Sequence, residues 1–517
     1  MKNLSKIFIA ASLVAFVSCD QDFDEPIEDI VVTPGDADFS KYIALGNSLT
    51  SGFTDNALFI SGQENSYPNI IASQMAIAGG GAFTQPLMPD DIGGFSNLGV
   101  AGRLKLVINP ETGTMGPLAT PAQSPLTMVN GSVNNMGVPG AKSFHLIAPN
   151  YGSPAGIGSY ANPYFVRFAS SPTTTVLADA AAQQPTFFSL WIGNNDVLSY
   201  ATSGGTGVNQ AGNTNPATYG GNDISDPQVV AGSIQAILET MRNQVGAKGV
   251  IANIPSITDI PFFTTVPYAP LTPEALGTET ITTLNQTFSA LNQVYDALGT
   301  PERKIVFNPE GPSPVVIEDE TLTDMSQQII QAMMAGGADQ TTAYFFGMAF
   351  GRARQANEND LLLFTSQTVI GQINTERYQM LLGYGLPEAM AAQLSVNGVT
   401  CALSDQWVLI PSEKQAVLNA TDAYNAAIEQ LANAYDLAFV DAHAAMQQLS
   451  SQSGISYYGN NYNTTYVSGG AFSLDAVHLT GKGYAIVANL FIDAINLKYG
   501  STLPHVNPNN YPGITIP

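Results

Sequence analysis

The stretch Tyr42-Ile43-Ala44-Leu45-Gly46-Asn47-Ser48-Leu49-Thr50-Ser51-Gly52-Phe53 decides how this chain is read. Its first four residues read as a short buried strand, Gly46 and Asn47 as a turn, and Ser48 as the opening of a helix. Strands of an open α/β sheet aim their succeeding loops out of the carboxyl edge, where ligands bind. A helix that starts there turns free N–H groups and its positive dipole end toward developing negative charge. Gly46 lets the chain turn without a Cβ clash. Alone, a Gly-x-Ser between strand and helix is most often a plain turn with a serine N-cap.

Working outward, short apolar runs alternate with helical periodicity, which argues for α/β. Strands are expected at Tyr42–Leu45, Phe187–Ile192, Gly249–Ile254 and Leu437–Val440, with a weaker fifth at Ser132–Met136. Helices are expected at Pro227–Val245, Thr283–Leu298, Glu413–Ala434 and Lys482–Tyr499. In the last, Tyr484, Val487, Ala488, Phe491, Ala494 and Ile495 share one face, and Thr480 or Gly481 caps the start. Arg103 to Pro117 reads as a hairpin, and Ser199 to Pro227 as a long polar loop. Pro301 to Asp405 reads as an insertion that carries many Met and aromatic residues. Such clusters are more often core than binding surface, but a few facing the cleft would make this segment an acyl-selecting cover.

The chain has 517 residues, 45% hydrophobic and only 11% charged, enough for a large core. A net charge of −24 makes nucleic acid an unsuitable partner. At the start, Lys2 and Lys6 precede an apolar run from Ile7 to Val17, too short to span a bilayer. Ser18-Cys19 comes next, and the whole resembles a bacterial lipoprotein signal over residues 1–18 with Cys19 as the lipidated residue. Residues 19–38 read as an acidic tether, and 39–517 as the folded domain with its insertion at about 301–405. The resemblance implies an envelope protein held to a membrane by lipid, at the outer membrane or cell surface of a Gram-negative bacterium. Cys401 is the one other cysteine and reads as a small buried hydrophobe. His145, His443, His478 and His505 are far apart, with no zinc spacing and no P-loop, so no metal or cofactor is expected.

Three further stretches carry chemistry. Asn135-Met136-Gly137-Val138-Pro139-Gly140-Ala141 ends in a glycine whose N–H can be approached closely. Trp191-Ile192-Gly193-Asn194-Asn195-Asp196 comes after an apolar strand, so Asn195 can point an amide into a site. Asp475-Ala476-Val477-His478-Leu479-Thr480 sets an aspartate three residues before a histidine. That carboxylate can accept a bond from Nδ1–H and leave Nε2 facing outward as a base. Each alone is more often structural. Asp441 and His443 are the rival pair, ranked lower because no capped helix comes directly after to fix them.

Together and in this order, the four stretches resemble the GDSL-type, or SGNH, hydrolase family. Asn47 stands where that family usually has aspartate, a position that supports the loop. The resemblance implies a flavodoxin-like three-layer sandwich with a central, mostly parallel sheet and large insertions. It also implies Ser48 as nucleophile, His478 as base and Asp475 as its orienting partner. The oxyanion donors would be the Ser48 N–H, the Gly140 N–H and the Asn195 side chain. The expected activity is that of a serine esterase or lipase on small or lipid-like esters at a membrane surface. A polysaccharide O-acetylesterase is the alternative within enzymes. A non-catalytic lipoprotein that binds lipid or glycan is the alternative outside them.

Overall fold

An apolar run without polar alternation must be covered on both faces. Four such runs and the short segment Asn135–Gly137 form one parallel sheet in the computed structural model, which describes residues 31–110 and 113–517. Its strands are β1 (Tyr42–Gly46), β2 (Asn135–Gly137), β3 (Phe187–Trp191), β4 (Lys248–Ala252) and β5 (Ala438–Val440). They lie in the order β2-β1-β3-β4-β5, and every adjacent pair is parallel. This is a doubly wound order whose winding reverses between β1 and β3, the point where such sheets bind ligands. The leader, Cys19 and the tether up to residue 30 lie outside the described residues.

The helices that matter for the site are α1 (Ser48–Ser51), α2 (Tyr67–Ile77), α3 (Asn195–Thr202) and α4 (Pro227–Leu238). After them come α5 (Thr278–Ala297), α6 (Pro411–Ala434), α7 (Ala442–Ser450) and α8 (Gly481–Tyr499). Period-two alternation along β3 assigns the faces of the sheet. Phe187 meets Tyr499 of α8 at 5.6 Å between ring centroids, and Trp191 meets Tyr67 of α2 at 5.6 Å. Helices α4 and α6 pack against one another on the other face, which makes three layers.

Pairing trims the expected boundaries. Of the weak fifth run only Asn135 and Met136 join the sheet, together with Gly137 just beyond the run, because only these three residues find partners in Ala44 to Gly46. Helix α4 ends at Leu238 and continues as a π-helical turn over Glu239–Gln244. The hairpin forms between Leu104–Ile108 and Met115–Ala119. Thr480 caps α8, its Oγ1 accepting from the Gly483 N–H at 3.1 Å.

A second apolar core draws residues from Val266 to Ile410, wider than the 301–405 segment. Helix α5 supplies Ile281, Leu284, Phe288, Leu291 and Tyr295 to it. Periodicity shows that a helix has an apolar face but not which core that face joins, so α5 reads from sequence as part of the main frame. Within the insertion Met333, Phe345, Phe346 and Phe350 are buried, whereas Met334, Tyr344 and Met348 are exposed. No helix among the described residues is long and apolar enough to cross a membrane.

The described chain enters beside the far end of α8. Thr33 N–H donates to Thr502 Oγ1 and Asp36 N–H to the Tyr499 carbonyl, both at 2.8 Å. The 19 residues of α8 rise about 28 Å, which separates this entry from the turn that precedes Gly481.

Candidate active site

Register brings the separate stretches to one place. Gly46 is paired with Gly137 of β2 on one side and Trp191 of β3 on the other. Neighbouring strands lie about 4.8 Å apart, so the segments that leave these strands emerge side by side. Ser48 lies just past the central one and is therefore flanked by the Gly140 loop and the start of α3. The close fit explains Gly46 better than a turn requirement does. A Cβ there would run into Thr50 Oγ1 and the Trp191 carbonyl. Asn47 caps α1, its Oδ1 accepting from the Leu49 N–H at 3.1 Å. Its Nδ2 is buried with no partner among the described residues.

Ser48 and His478 are 430 positions apart in the chain, yet Ser48 Oγ lies 2.9 Å from His478 Nε2. His478 Nδ1 in turn lies 2.9 Å from Asp475 Oδ2. The turn Asp475-Ala476-Val477-His478 is held by its own carboxylate, because Asp475 Oδ1 accepts from the N–H groups of Val477 (2.9 Å) and His478 (2.8 Å). Ser473 Oγ donates to the same oxygen at 3.1 Å, and the Asn56 N–H donates to Oδ2 at 2.8 Å. Ala476 adopts a left-handed φ of 63°, a conformation a non-glycine residue holds only where its surroundings impose it. Here Phe262 N–H grips its carbonyl at 3.0 Å.

Burial alone would raise the Asp475 pKa. The His478 imidazole and the hydrogen bonds to the carboxylate outweigh burial and hold it well below the ordinary value. A carboxylate kept ionised beside Nδ1 keeps the proton on that nitrogen, so Nε2 is free to accept from Ser48. Phe53 covers the imidazole at 4.7 Å between ring centroids and continues into an apolar wall through Tyr164 and Phe95.

The expected oxyanion donors flank this chain. Among the described residues the N–H groups of Ser48 and Gly140 make no hydrogen bond. Asn195 Nδ2 donates one proton to the Ala141 carbonyl at 2.9 Å, and its second proton has no such partner. That bond ties the start of α3 to the Gly140 loop. Asp196 tightens the tie, its carboxylate accepting from the Ser143 N–H at 2.7 Å and Ser143 Oγ at 3.0 Å. From the other side, Asn162 Nδ2 donates to the Pro139 carbonyl at 2.8 Å and to Tyr151 Oη at 3.0 Å. Asn56, Ser473, Asn162 and Asp196 do not stand out in the sequence as site residues. Their part depends on contacts between distant segments, and no local pattern signals it.

Contrary to the expectation that no capped helix follows the rival pair, one starts at Ala442, and the pair does other work. Asp441 Oδ1 accepts from Asn253 Nδ2 at 2.9 Å and from the Ala444 N–H at 3.0 Å, which makes Asp441 the N-cap of α7. His443 pairs instead with Asn425 and Gln447. Cys401 is buried and free. Among the described residues, Glu320, Asp405 and Glu413 are the one group of three or more His, Cys, Asp or Glu whose ligand atoms converge, within 4.8 Å of one another. None of the three belongs to the Ser48–His478–Asp475 chain.

A cleft of about 1190 Å³ opens at Gly140, between residues 140–163 on one side and residues 214–221 with the start of α4 on the other. A smaller apolar cavity of about 90 Å³ lies between α7 and α8, with Leu49 and Val477 in its lining. The 301–405 segment lines neither. It touches the site indirectly. Phe364 packs on Tyr466 at 4.7 Å, and Tyr466 Oη donates to the Leu474 carbonyl at 2.9 Å, just before the turn at residues 475–478. No protein-family profile matches the chain, and no curated protein matches it.

Proposed function

We propose that this chain is a serine hydrolase of carboxylic esters, of the GDSL or SGNH type, working through an acyl-enzyme on Ser48. The observation that carries the proposal is the continuous hydrogen-bond chain Ser48 Oγ–His478 Nε2 and His478 Nδ1–Asp475 Oδ2, at 2.9 Å for both links. A serine hydroxyl is a weak nucleophile at neutral pH, and an adjacent oriented imidazole is what activates it. His478 takes the Ser48 proton as Oγ attacks the ester carbonyl, then returns it to the departing alcohol. Water, deprotonated by the same imidazole, releases the acid. Charge on the tetrahedral oxygen is met by the unoccupied N–H groups of Ser48 and Gly140 and by the second Asn195 proton. Such donors stabilise the transition state most when fixed in advance. The bonds of Asn162 and Asp196 are what fixes them here.

The leader supports a lipid attached at Cys19 and a place in the cell envelope. Mass spectrometry of the mature N-terminus is expected to show an acylated Cys19; a free terminus elsewhere refutes the anchor. The activity itself is tested on esters of graded acyl length, with a serine-directed phosphonate as probe. Wild-type protein is expected to release acid and to be labelled at Ser48 alone. Labelling of Ser48→Ala equal to wild type refutes the assignment.

A further inference from the structure

Resting on the ester-hydrolase reading, we infer that the ester's alcohol part is a neutral carbohydrate chain that lies in the cleft opening at Gly140. The size of the cleft favours an extended ligand. At about 1190 Å³ it exceeds the range of roughly 300–1,000 Å³ usual for small-molecule sites.

Its charge favours a neutral one. Lys142 and His145 are the only basic side chains in the cleft lining, and no acidic side chain lines it among the described residues. Lys142 is buried, and its Nζ donates to the Asp223 carbonyl at 2.7 Å. Burial also keeps His145 neutral by pushing its pKa down to about 4. A cleft that offers no available positive charge, in a protein of net charge −24, selects against anionic polymers.

The lining surface suits sugar rings. Tyr160 is 57% exposed, yet its ring is not loose. It lies on the bare Cα of Gly156, where a Cβ would collide with the ring. An exposed aromatic face braced from behind is a platform for the apolar C–H face of a sugar ring. Phe144 and Tyr219, 5.8 Å apart and edge to face, bring aromatic groups from both walls. In the same lining, Ser159, Thr214 and Gln228 carry side-chain polar atoms without hydrogen bonds among the described residues, available to sugar hydroxyls.

An alcohol-poor, acyl-rich substrate finds less room. The apolar cavity between α7 and α8 measures about 90 Å³, less than the roughly 150 Å³ that holds one benzene. It gives a medium or long acyl chain little space.

The test separates binding from hydrolysis. Calorimetric titration of Ser48→Ala with O-acetylated xylotetraose is expected to show binding, and methyl octanoate none. Adding Tyr160→Ala is expected to weaken the sugar about five- to tenfold, as loss of one aromatic platform should. Tyr160→Phe, which keeps the ring, is expected to restore the affinity, which separates stacking from misfolding. No sugar binding, equal affinity in the Tyr160→Ala background, or Tyr160-dependent binding of methyl octanoate would each overturn the inference. Failure of wild-type protein to release acid from any ester would instead overturn the hydrolase reading, and would leave the titration to judge the cleft separately.

Discussion

Replacing Asp475 by asparagine removes one negative charge and almost no volume, so its effect can be worked out from the bonds the carboxylate makes. Every neighbour of that carboxylate is a donor: the N–H groups of Asn56, Val477 and His478, Ser473 Oγ and His478 Nδ1. An asparagine NH₂ placed at Oδ2 faces the Asn56 N–H and forces His478 Nδ1 to become an acceptor. The imidazole proton then moves to Nε2, which donates toward Ser48 and can no longer take its proton. Placed at Oδ1, the NH₂ meets three donors, which is worse. The expected loss in kcat is about 10⁴-fold, or about 5 kcal/mol of transition-state stabilisation. A cost in stability of about 1–3 kcal/mol is expected from the unpaired buried donors. Its pH dependence has a definite sign. The folded-state pKa of Asp475 is depressed, so its stabilisation is present above the ordinary 3.8 and is lost as pH falls below that value. The stability gap between wild type and Asp475→Asn should therefore narrow in acid. Hydrolysis of 4-nitrophenyl acetate and thermal melts from pH 7 down to pH 3 are the assays. A folded Asp475→Asn protein retaining a tenth or more of wild-type kcat would refute the claim that Asp475 sets the tautomer.

Asn195→Ala is expected to lower kcat by about 10²–10³ and leave KM nearly unchanged, because the lost donor serves the tetrahedral state; an equal rise in KM argues for ground-state binding instead. His443→Ala is expected to keep kcat within about twofold and to lower the melting temperature, since His443 pairs with Asn425 and Gln447 rather than with Asp441. Its inactivation would move the base to that pair. Glu413 is pushed up by burial and by the nearby Asp405 and Glu320 carboxylates, so the folded state disfavours its charge increasingly as pH rises above 4.5. Glu413→Gln can still accept from the Ile410 N–H, a bond of 2.9 Å in the native chain, and is expected to raise the melting temperature at pH 8 more than at pH 4. The same gain at both pH values excludes a charge effect.

Several features arise from local order along the chain and were legible there. β1 and β3 are runs that are buried on both faces, and a run without alternation announces that directly. The amphipathic stripe of α8 and its Thr480 cap are equally local, as is the spacing Asp475-x-x-His478, which closes a turn by itself. Ser48, His478, Asp475, Gly140 and Asn195 were named through the resemblance of the four stretches taken in order, since each stretch alone reads more often as structural. Other features exist only once distant segments meet. The 2.9 Å approach of Ser48 to His478 depends on sheet order and on where α8 lands, and neither is encoded in any window of residues. The same holds for the Asn56 bond to Asp475, for the membership of α5 in the second core, and for the insertion meeting the 475–478 turn through Phe364 and Tyr466 rather than lining the cleft. Periodicity states that a face will be buried; packing alone selects what buries it, because apolar contact carries no address.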